Sequence, residues 1–168
     1  VIGGGQAGLS TSAHLTRLGV DHVVLERGRV ANTGRTARWD SFHLNTPNWA
    51  TQLPGAEPPG DPDAFAPLAD VISFMDGYAA RIGAPVEEGV AVTALRRQGS
   101  AFQLSTSEGR IAARSVVVAT DRLNLHIAAG THCMGRVERN PPPLRHPEIA
   151  VGVGIGIVGR RQAAGELI

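Results

Sequence analysis

Cysteine, aromatic residues and long apolar stretches are all scarce in this chain of 168 residues. Its single cysteine, Cys133, excludes a disulfide within the chain, which fits a reducing, cytoplasmic compartment. No apolar run approaches the roughly 20 residues of a membrane-spanning helix, and no secretory signal is visible. A formal net charge of +1 gives no reason to expect nucleic acid as a partner. The six histidines are scattered without metal-ligand spacing, so no metal site is predicted.

Glycine, by contrast, is abundant, and its most informative cluster lies at the N-terminus. The segment Val1-Ile2-Gly3-Gly4-Gly5-Gln6-Ala7-Gly8 is typical of the end of a buried strand, a G-x-G-x-x-G turn and the start of a helix, predicted over 7–18. Gly3 allows the tight turn, Gly5 lets the backbone approach a pyrophosphate, and Gly8 lets the helix lie close to the strands. The N–H groups at the helix start favour a phosphate.

A carboxylate follows at the spacing that this motif requires. Glu26 lies about 20 residues after Gly3, at the tip of a second predicted strand over 20–25, where it can accept both hydroxyls of a ribose. Because Glu26 would repel a free 2′-phosphate, the site favours FAD or NAD over NADP. The alternative is a glycine-rich strand–helix turn that binds no ligand.

The middle of the chain is predicted to contain loops and one helix. Residues 29–50 are polar and irregular, and the proline-rich segment 54–67 is predicted to be a surface loop. A helix then begins at Asp70 as its cap and ends at Gly83. Its apolar residues recur at helical spacing and are predicted to be core contacts. They are Val71, Phe74, Met75, Tyr78 and Ile82.

Short strands follow the helix. They are predicted over 90–95, 102–106 and 110–119, with turns at Gln98-Gly99-Ser100 and Ser107-Glu108-Gly109. The third strand ends in residues 116–120, which are apolar enough for a central parallel strand. The predicted order is therefore β-α-β, a loop-rich insertion, a helix, a three-stranded meander and a core strand.

Near the C-terminus, Ile157-Val158-Gly159-Arg160-Arg161-Gln162-Ala163-Ala164 echoes the opening motif. Gly159 and Gln162 occupy the places of the first glycine and the glutamine, which predicts the start of a second nucleotide-binding domain. Arg161 replaces the middle glycine. Its side chain would block a pyrophosphate there, or would swing away and pair with a phosphate, so the sequence leaves open whether this second site works.

The predicted fold class is therefore α/β. A Rossmann-like domain with a three-stranded β-meander is followed by the start of a second Rossmann-like domain. We expect an incomplete FAD-binding domain over 1–122, a linker over 123–150 and the beginning of a NAD(P)-binding domain over 151–168. Because the chain opens inside a strand without Met and stops in mid-pattern, we expect it to be a fragment of a larger protein.

Several segments beyond the glycine motif carry a family likeness. They are Gly3-Gly4-Gly5-Gln6-Ala7-Gly8-Leu9-Ser10, Glu26-Arg27, Arg38-Trp39-Asp40-Ser41-Phe42, Leu44-Asn45-Thr46-Pro47-Asn48-Trp49, residues 116–120 and the weak repeat at 158–167. On these segments the chain resembles the flavin-containing monooxygenase-like branch of FAD-dependent oxidoreductases, which is similar to class B flavoprotein monooxygenases. The resemblance is firmest over 1–50 and 70–120.

This resemblance implies an enzyme that holds FAD in the first domain and NADPH in a second, and that oxygenates a small-molecule substrate. By match to the family, several groups of residues would contact the cofactors. The pyrophosphate would be held by Gly3, Gly5, Gln6, Ala7 and Gly8, the ribose by Glu26, and the adenine by Arg27 at its side and by the backbone of Val92. The residues towards the flavin would be Arg35, Trp39, Leu44 and Thr46. The second site would include Gly159 and Gln162. Each assignment has an alternative. Arg27 and Arg35 could be solvated surface charges, and Trp39 could be an ordinary partly buried aromatic residue. Val92 could simply be a core residue of its strand.

Three positions depart from the family pattern. Gly34 stands where an aromatic residue is usual, Asp121 replaces a glycine after the core strand, and Arg161 replaces a motif glycine. These changes keep a second hypothesis open, a non-catalytic dinucleotide-binding module or a decayed flavoprotein. A flavin disulfide reductase is disfavoured because the chain has no cysteine pair. No catalytic residue is predicted, because in this family the flavin carries the chemistry, and we expect the isolated chain to be inactive.

Overall fold

The computed structural model describes residues 1–120 and the short strand His126–Ile127. Its first sheet is parallel. Strand β1 (Val24–Glu26) pairs with β2 (Val86–Glu88), and on the other side of β1 the chain at Ile2 forms a parallel bridge to Leu25. Ile2 forms a second parallel bridge to Val118. The strands therefore lie in the order β2, β1, Ile2, Val118, which is the first half of a doubly wound nucleotide-binding sheet and confirms the predicted fold class.

Backbone hydrogen bonds fix the N-terminal strand at the centre of this sheet. The Ile2 N–H donates to the Val117 carbonyl and the Ala119 N–H donates to the Ile2 carbonyl, both at 2.8 Å. On the other side, the Gly3 N–H donates to the Leu25 carbonyl at 2.8 Å. Since all these strands run in the same direction, their carboxyl ends meet at one edge of the sheet, just where the glycine turn begins.

Helix α1 (Gln6–Arg17) confirms the helix predicted over 7–18 to within one residue. Two further elements lie in the region predicted to be loop-rich: the short helix α2 (Asn32–Ala37) and a 3-10 turn, Asn48–Thr51. Residues 54–67 contain no helix or regular strand, as their prolines predict.

Helix α3 (Leu68–Arg81) begins earlier than the sequence indicates. Its N-cap is Pro67, and Asp70 lies inside the first turn without a capping hydrogen bond, so the prediction of Asp70 as the cap is wrong. A carboxylate in that position still interacts favourably with the positive end of the helix. The apolar stripe is confirmed, because its members are buried or partly buried in one cluster.

The second sheet contains the predicted meander. Strands β3 (Val92–Gln98), β4 (Ala101–Thr106) and β5 (Gly109–Ala113) are antiparallel neighbours, and β6 (His126–Ile127) pairs in parallel with β3. The prediction of one continuous strand over 110–119 is wrong, whereas the parallel strand predicted for residues 116–120 is confirmed by the parallel bridge between Ile2 and Val118. The meander strand ends at Ala113, and Val118 belongs to the parallel sheet instead.

Two apolar clusters support the sheets. The first packs the parallel sheet against the meander and consists of Ile2, Leu25, Val90, Leu95, Phe102, Leu104, Val116 and Val118. The second packs α1 and α3 together with the loop before α3 and consists of Leu9, Val30, Leu53, Ala56, Met75 and Tyr78. Across the described ranges, no helix combines the length and the apolar character needed to cross a membrane.

Substituting two helical glycines by alanine should have opposite effects on stability. A Cβ at Gly8 would overlap the carbonyl oxygen of Gly3, whereas a Cβ at Gly77 in α3 would meet nothing within 4 Å. We expect Gly8→Ala to lower the free energy of unfolding by about 1–3 kcal/mol through overpacking. We expect Gly77→Ala to raise it by about 0.5–1 kcal/mol. Urea denaturation measures both, and equal effects of the two substitutions would contradict the close helix–turn contact.

Ionisation of Tyr78 offers a second test of the packing. Tyr78 is 2% exposed and its hydroxyl donates to the Pro54 carbonyl at 2.9 Å. Burial raises the pKa of Tyr78 above its ordinary value of 10.0, and the nearby Arg81 offsets part of this rise. Because the unfolded state ionises first, this contribution to stability is fully present below pH 10 and is lost as the pH rises through the folded pKa.

The phenolate absorbance reports this group alone, since the chain has one tyrosine. We expect its titration midpoint to lie higher in the folded protein than in urea. Identical midpoints in the two states would show that Tyr78 is solvated.

Candidate dinucleotide-binding site

The glycine turn is built around a backbone that only glycine adopts readily. Gly3 has φ of 108°, and a Cβ on it would lie 2.7 Å from the Ala119 carbonyl oxygen. Gly8 in the first turn of α1 contacts Gly3 so closely that no side chain fits between them. These two glycines therefore serve the fold itself, since they let the strand end, the helix and the neighbouring strand come together.

Gly5 is different, because the fold does not need it. It is the N-cap of α1 with φ of −88°, which any residue can adopt, and a Cβ there would meet nothing within 4 Å. No side chain among the described residues caps the helix, and its first turn contains no acidic residue. The N–H groups of Gln6, Ala7 and Gly8 have no acceptor within the helix. This combination of free N–H groups, helix dipole and open space is suited to binding a phosphate.

The Glu26 carboxylate lies directly beside this turn. Glu26 is 7% exposed at the end of β1. Its Oε2 accepts a hydrogen bond from the Gly4 N–H at 2.7 Å, and its Oε1 accepts one from the Gly28 N–H at 2.9 Å. Each carboxylate oxygen has two acceptor directions, so one on each oxygen is left for a hydroxyl ligand. Sequence reasoning found Glu26 but not these two partners.

A second contact joins the turn to the chain after β1. The N–H of Ala31 donates to the Gly4 carbonyl at 3.2 Å, and Ala31 adopts a left-handed conformation with φ of 58°. The neighbouring Val30 N–H donates to Glu88 Oε1 at 2.8 Å. No signal in the sequence indicates these contacts, because alanine rarely adopts this conformation.

The two arginines predicted near the cofactor have different surroundings. Arg27 is exposed and makes no hydrogen bond or ion pair within residues 1–120. The Arg35 guanidinium donates to the Val30 carbonyl at 3.0 Å and to Asp76 Oδ2 of α3 at 2.5 Å. Arg35 is therefore a link between α2 and α3, and its contact with a flavin stays a prediction.

The other candidates from the family resemblance lie farther along the chain. Trp39 is 62% exposed and packs edge-on against Phe42, with ring centroids 5.0 Å apart. Leu44 is half-buried, Thr46 is exposed, and Val92 begins β3. Their roles towards a cofactor stay predictions. Four further positions lie outside the described residues: Asp121, Gly159, Arg161 and Gln162. In the part of the chain that the structure describes, no cluster of three or more His, Cys, Asp or Glu side chains could hold a metal ion.

The two backbone partners of Glu26 predict a structural effect that needs no cofactor. In Glu26→Gln, the side-chain NH₂ would replace one oxygen and face an N–H donor in a buried place. We expect the free energy of unfolding to fall by about 1–3 kcal/mol. Glu87→Gln on the exposed side of β2 is the matched control, with an expected change within about 0.5 kcal/mol. Equal stability of the two variants in urea would contradict the bonded geometry of Glu26.

Comparisons with known proteins show which proteins this chain resembles. Residues 1–130 match the family described as pyridine nucleotide-disulphide oxidoreductase. The chain is 31% identical over 121 residues to an uncharacterized oxidoreductase, CzcO-like, of Geobacillus kaustophilus, covering 71% of this chain and 34% of that protein. It is also 31% identical over 128 residues to the indole-3-pyruvate monooxygenase YUCCA1 of Oryza sativa, covering 71% of this chain and 30% of that protein.

A solved structure shows the same likeness. A flavin-containing monooxygenase from Stenotrophomonas maltophilia superposes with a TM-score of 0.62 at 28% identity, covering 71% of this chain and 36% of that one. The chain thus spans about a third of the length of the proteins it matches. These relatives confirm the resemblance to FAD-dependent oxidoreductases of the monooxygenase type. With the sequence match over residues 1–130, the chain belongs to the pyridine nucleotide-disulphide oxidoreductase family.

Proposed function

We propose that this chain is the FAD-binding part of an NADPH-using oxidoreductase of the monooxygenase type. The observation that carries the proposal is the uncapped start of α1 at Gly5, with open space beside it and the buried Glu26 carboxylate bonded to the neighbouring Gly4 N–H. Sequence identity to monooxygenases supports the proposed reaction type. The activity of the whole protein is a proposal, because the chain covers only about a third of each relative's length.

In this proposal the chain binds the ADP half of the cofactor. The N–H groups of residues 5–8 hold the pyrophosphate, with no side chain of the described residues competing for them. Glu26 accepts the ribose hydroxyls with the acceptor directions that Gly4 and Gly28 leave free. FAD, when bound, supplies the redox chemistry. The residues named here orient it and keep the charged diphosphate in a fixed place.

NADPH binding is assigned to the predicted second domain, which begins at about residue 151. Gly159 and Gln162 support this assignment, and Arg161 would pair with a phosphate rather than block it. The predicted boundaries at 122 and 150 are part of the same proposal. The substrate is a small molecule. We expect the isolated chain to bind nucleotide without turnover, because it spans about a third of its relatives.

The alternative is a dinucleotide-binding module without catalysis. Arg161 in place of the middle motif glycine favours it, because it weakens the second site. The two functions differ in NADPH oxidation. Both predict protection of the protein by ADP, but only the oxidoreductase consumes NADPH in air.

The test uses the full-length protein that contains this chain. We expect it to purify yellow, with a flavin spectrum that bleaches with NADPH in the absence of oxygen and returns in air. Gly5→Val should lose the flavin while its melting temperature without cofactor falls by only a few degrees, because a side chain there meets only open space and valine is merely a poorer N-cap than glycine.

Gly77→Ala in α3 is the control substitution, because Gly77 is not among the residues proposed to contact FAD. This variant should keep the flavin. A colourless, folded wild-type protein contradicts FAD binding. A yellow protein that never oxidises NADPH supports the non-catalytic module.

A further inference from the structure

We propose that Arg35 and Asp76 are positioning residues for the phosphate-binding backbone. Their ion pair holds the turn over residues 28–31, and this turn orients the peptide between Gly4 and Gly5. The inference rests on the proposed function, since it concerns how the same turn presents its N–H groups to a diphosphate. It gives Arg35 a role that needs no direct contact with the cofactor.

The first link is a single peptide group between Val30 and Ala31. Its carbonyl oxygen accepts the Arg35 Nε–H at 3.0 Å, and its N–H donates to the Gly4 carbonyl at 3.2 Å. The C=O and N–H of a trans peptide point in opposite directions. The arginine therefore holds one end of a rigid plane whose other end reaches the glycine turn.

The second link is the peptide group between Gly4 and Gly5. Its carbonyl oxygen is the acceptor for Ala31, so its N–H, which belongs to Gly5, points away from the 28–31 turn. This N–H belongs to the N-cap residue of α1, among the groups proposed to bind the phosphate. Any shift of the Ala31 N–H would thus rotate a phosphate donor.

The same chain of bonds carries polarisation. A cationic donor on the Val30 carbonyl makes the Ala31 N–H a stronger donor, and that bond in turn makes the Gly5 N–H a stronger donor. Arg35 thereby acts on a bound anion through two peptide groups in series. Its own charge is held in place by Asp76 on α3, and its side chain is only 22% exposed.

Ala31 needs this support because its conformation is strained. It is the one residue other than glycine with a positive φ among those the structure describes. Such a conformation persists in alanine only where surrounding contacts enforce it. Val30, which is 5% exposed, supplies them through Arg35 on its carbonyl and Glu88 on its N–H. The exposed Arg29–Glu88 pair, at 3.9 Å, adds little.

The experiment compares Asp76→Asn with Asp70→Asn, the same change on the exposed part of the same helix. Two quantities are measured in the full-length protein: amide hydrogen exchange at Ala31 without cofactor, and the Kd for FAD. In Asp76→Asn we expect exchange to accelerate and the Kd to rise, each by about five- to tenfold. Asp70→Asn should change neither by more than about twofold.

A rescue variant separates positioning from general stability. Ala31→Gly removes the steric strain, because glycine has no Cβ to oppose a φ of 58°. Added to Asp76→Asn, it should restore most of the FAD affinity. Arg35→Lys is a second variant that keeps the charge. It should weaken FAD binding as Asp76→Asn does, because an ammonium cannot hold Val30 and Asp76 with one planar fork.

Each outcome decides one claim. If the wild-type protein holds no FAD, the proposed function fails before any variant is made, and the inference fails with it. If the wild type holds FAD but Asp76→Asn changes neither quantity, only the positioning role is wrong. A loss of affinity that Ala31→Gly does not restore likewise overturns it, since Asp76 would then serve packing alone.

Discussion

The hydrogen bond from the Gly4 N–H to the Glu26 carboxylate is the interaction on which the rest of this site depends. It is 2.7 Å long, buried and charge-assisted, which makes it stronger than an ordinary backbone hydrogen bond. It joins the end of the first strand to the end of the second, where the parallel sheet brings both together. The carboxylate is thus fixed before any ligand arrives, by one backbone N–H on each of its oxygens.

The glycines of the turn have separate physical reasons to be there. Gly3 and Gly8 are required by close contacts within the protein, and a side chain on either would push strand, helix and neighbouring strand apart. A Cβ on Gly5 would contact nothing within 4 Å, so no close contact among the described residues requires a glycine at this position. This division separates the glycines that the fold requires from the one that, in the proposed function, leaves room for a phosphate.

The sequence predicts the turn, α1 and Glu26 well because their spacing is set by one short motif with a strict geometry. The core face of α3 is equally predictable from its helical period. Strand β2 is not, since it has three residues, two of them glutamates, and exists because Val24 pairs with Val86 from a distant part of the chain. The apolar residues before Thr120 correctly predict a parallel strand, but they do not show that the preceding meander strand has already ended at Ala113.

The contacts of the 28–31 turn lie beyond sequence reasoning for a related reason. They depend on backbone groups, and on a left-handed alanine that no propensity favours. Arg35 is visible in the sequence as a candidate, but its partner Asp76 comes from another helix. Tertiary packing therefore decides which groups this arginine contacts, whereas the family resemblance marks it only as a candidate.

The central claim is that a fixed carboxylate beside an open helix start selects an unmodified ribose next to a diphosphate. Calorimetric titration of the flavin-stripped full-length protein with ADP and with its 2′-phosphorylated counterpart tests it most directly. The account predicts that ADP binds and competes with FAD, while the 2′-phosphate weakens binding at least about tenfold through repulsion by Glu26. Equal affinity for the two nucleotides would contradict it.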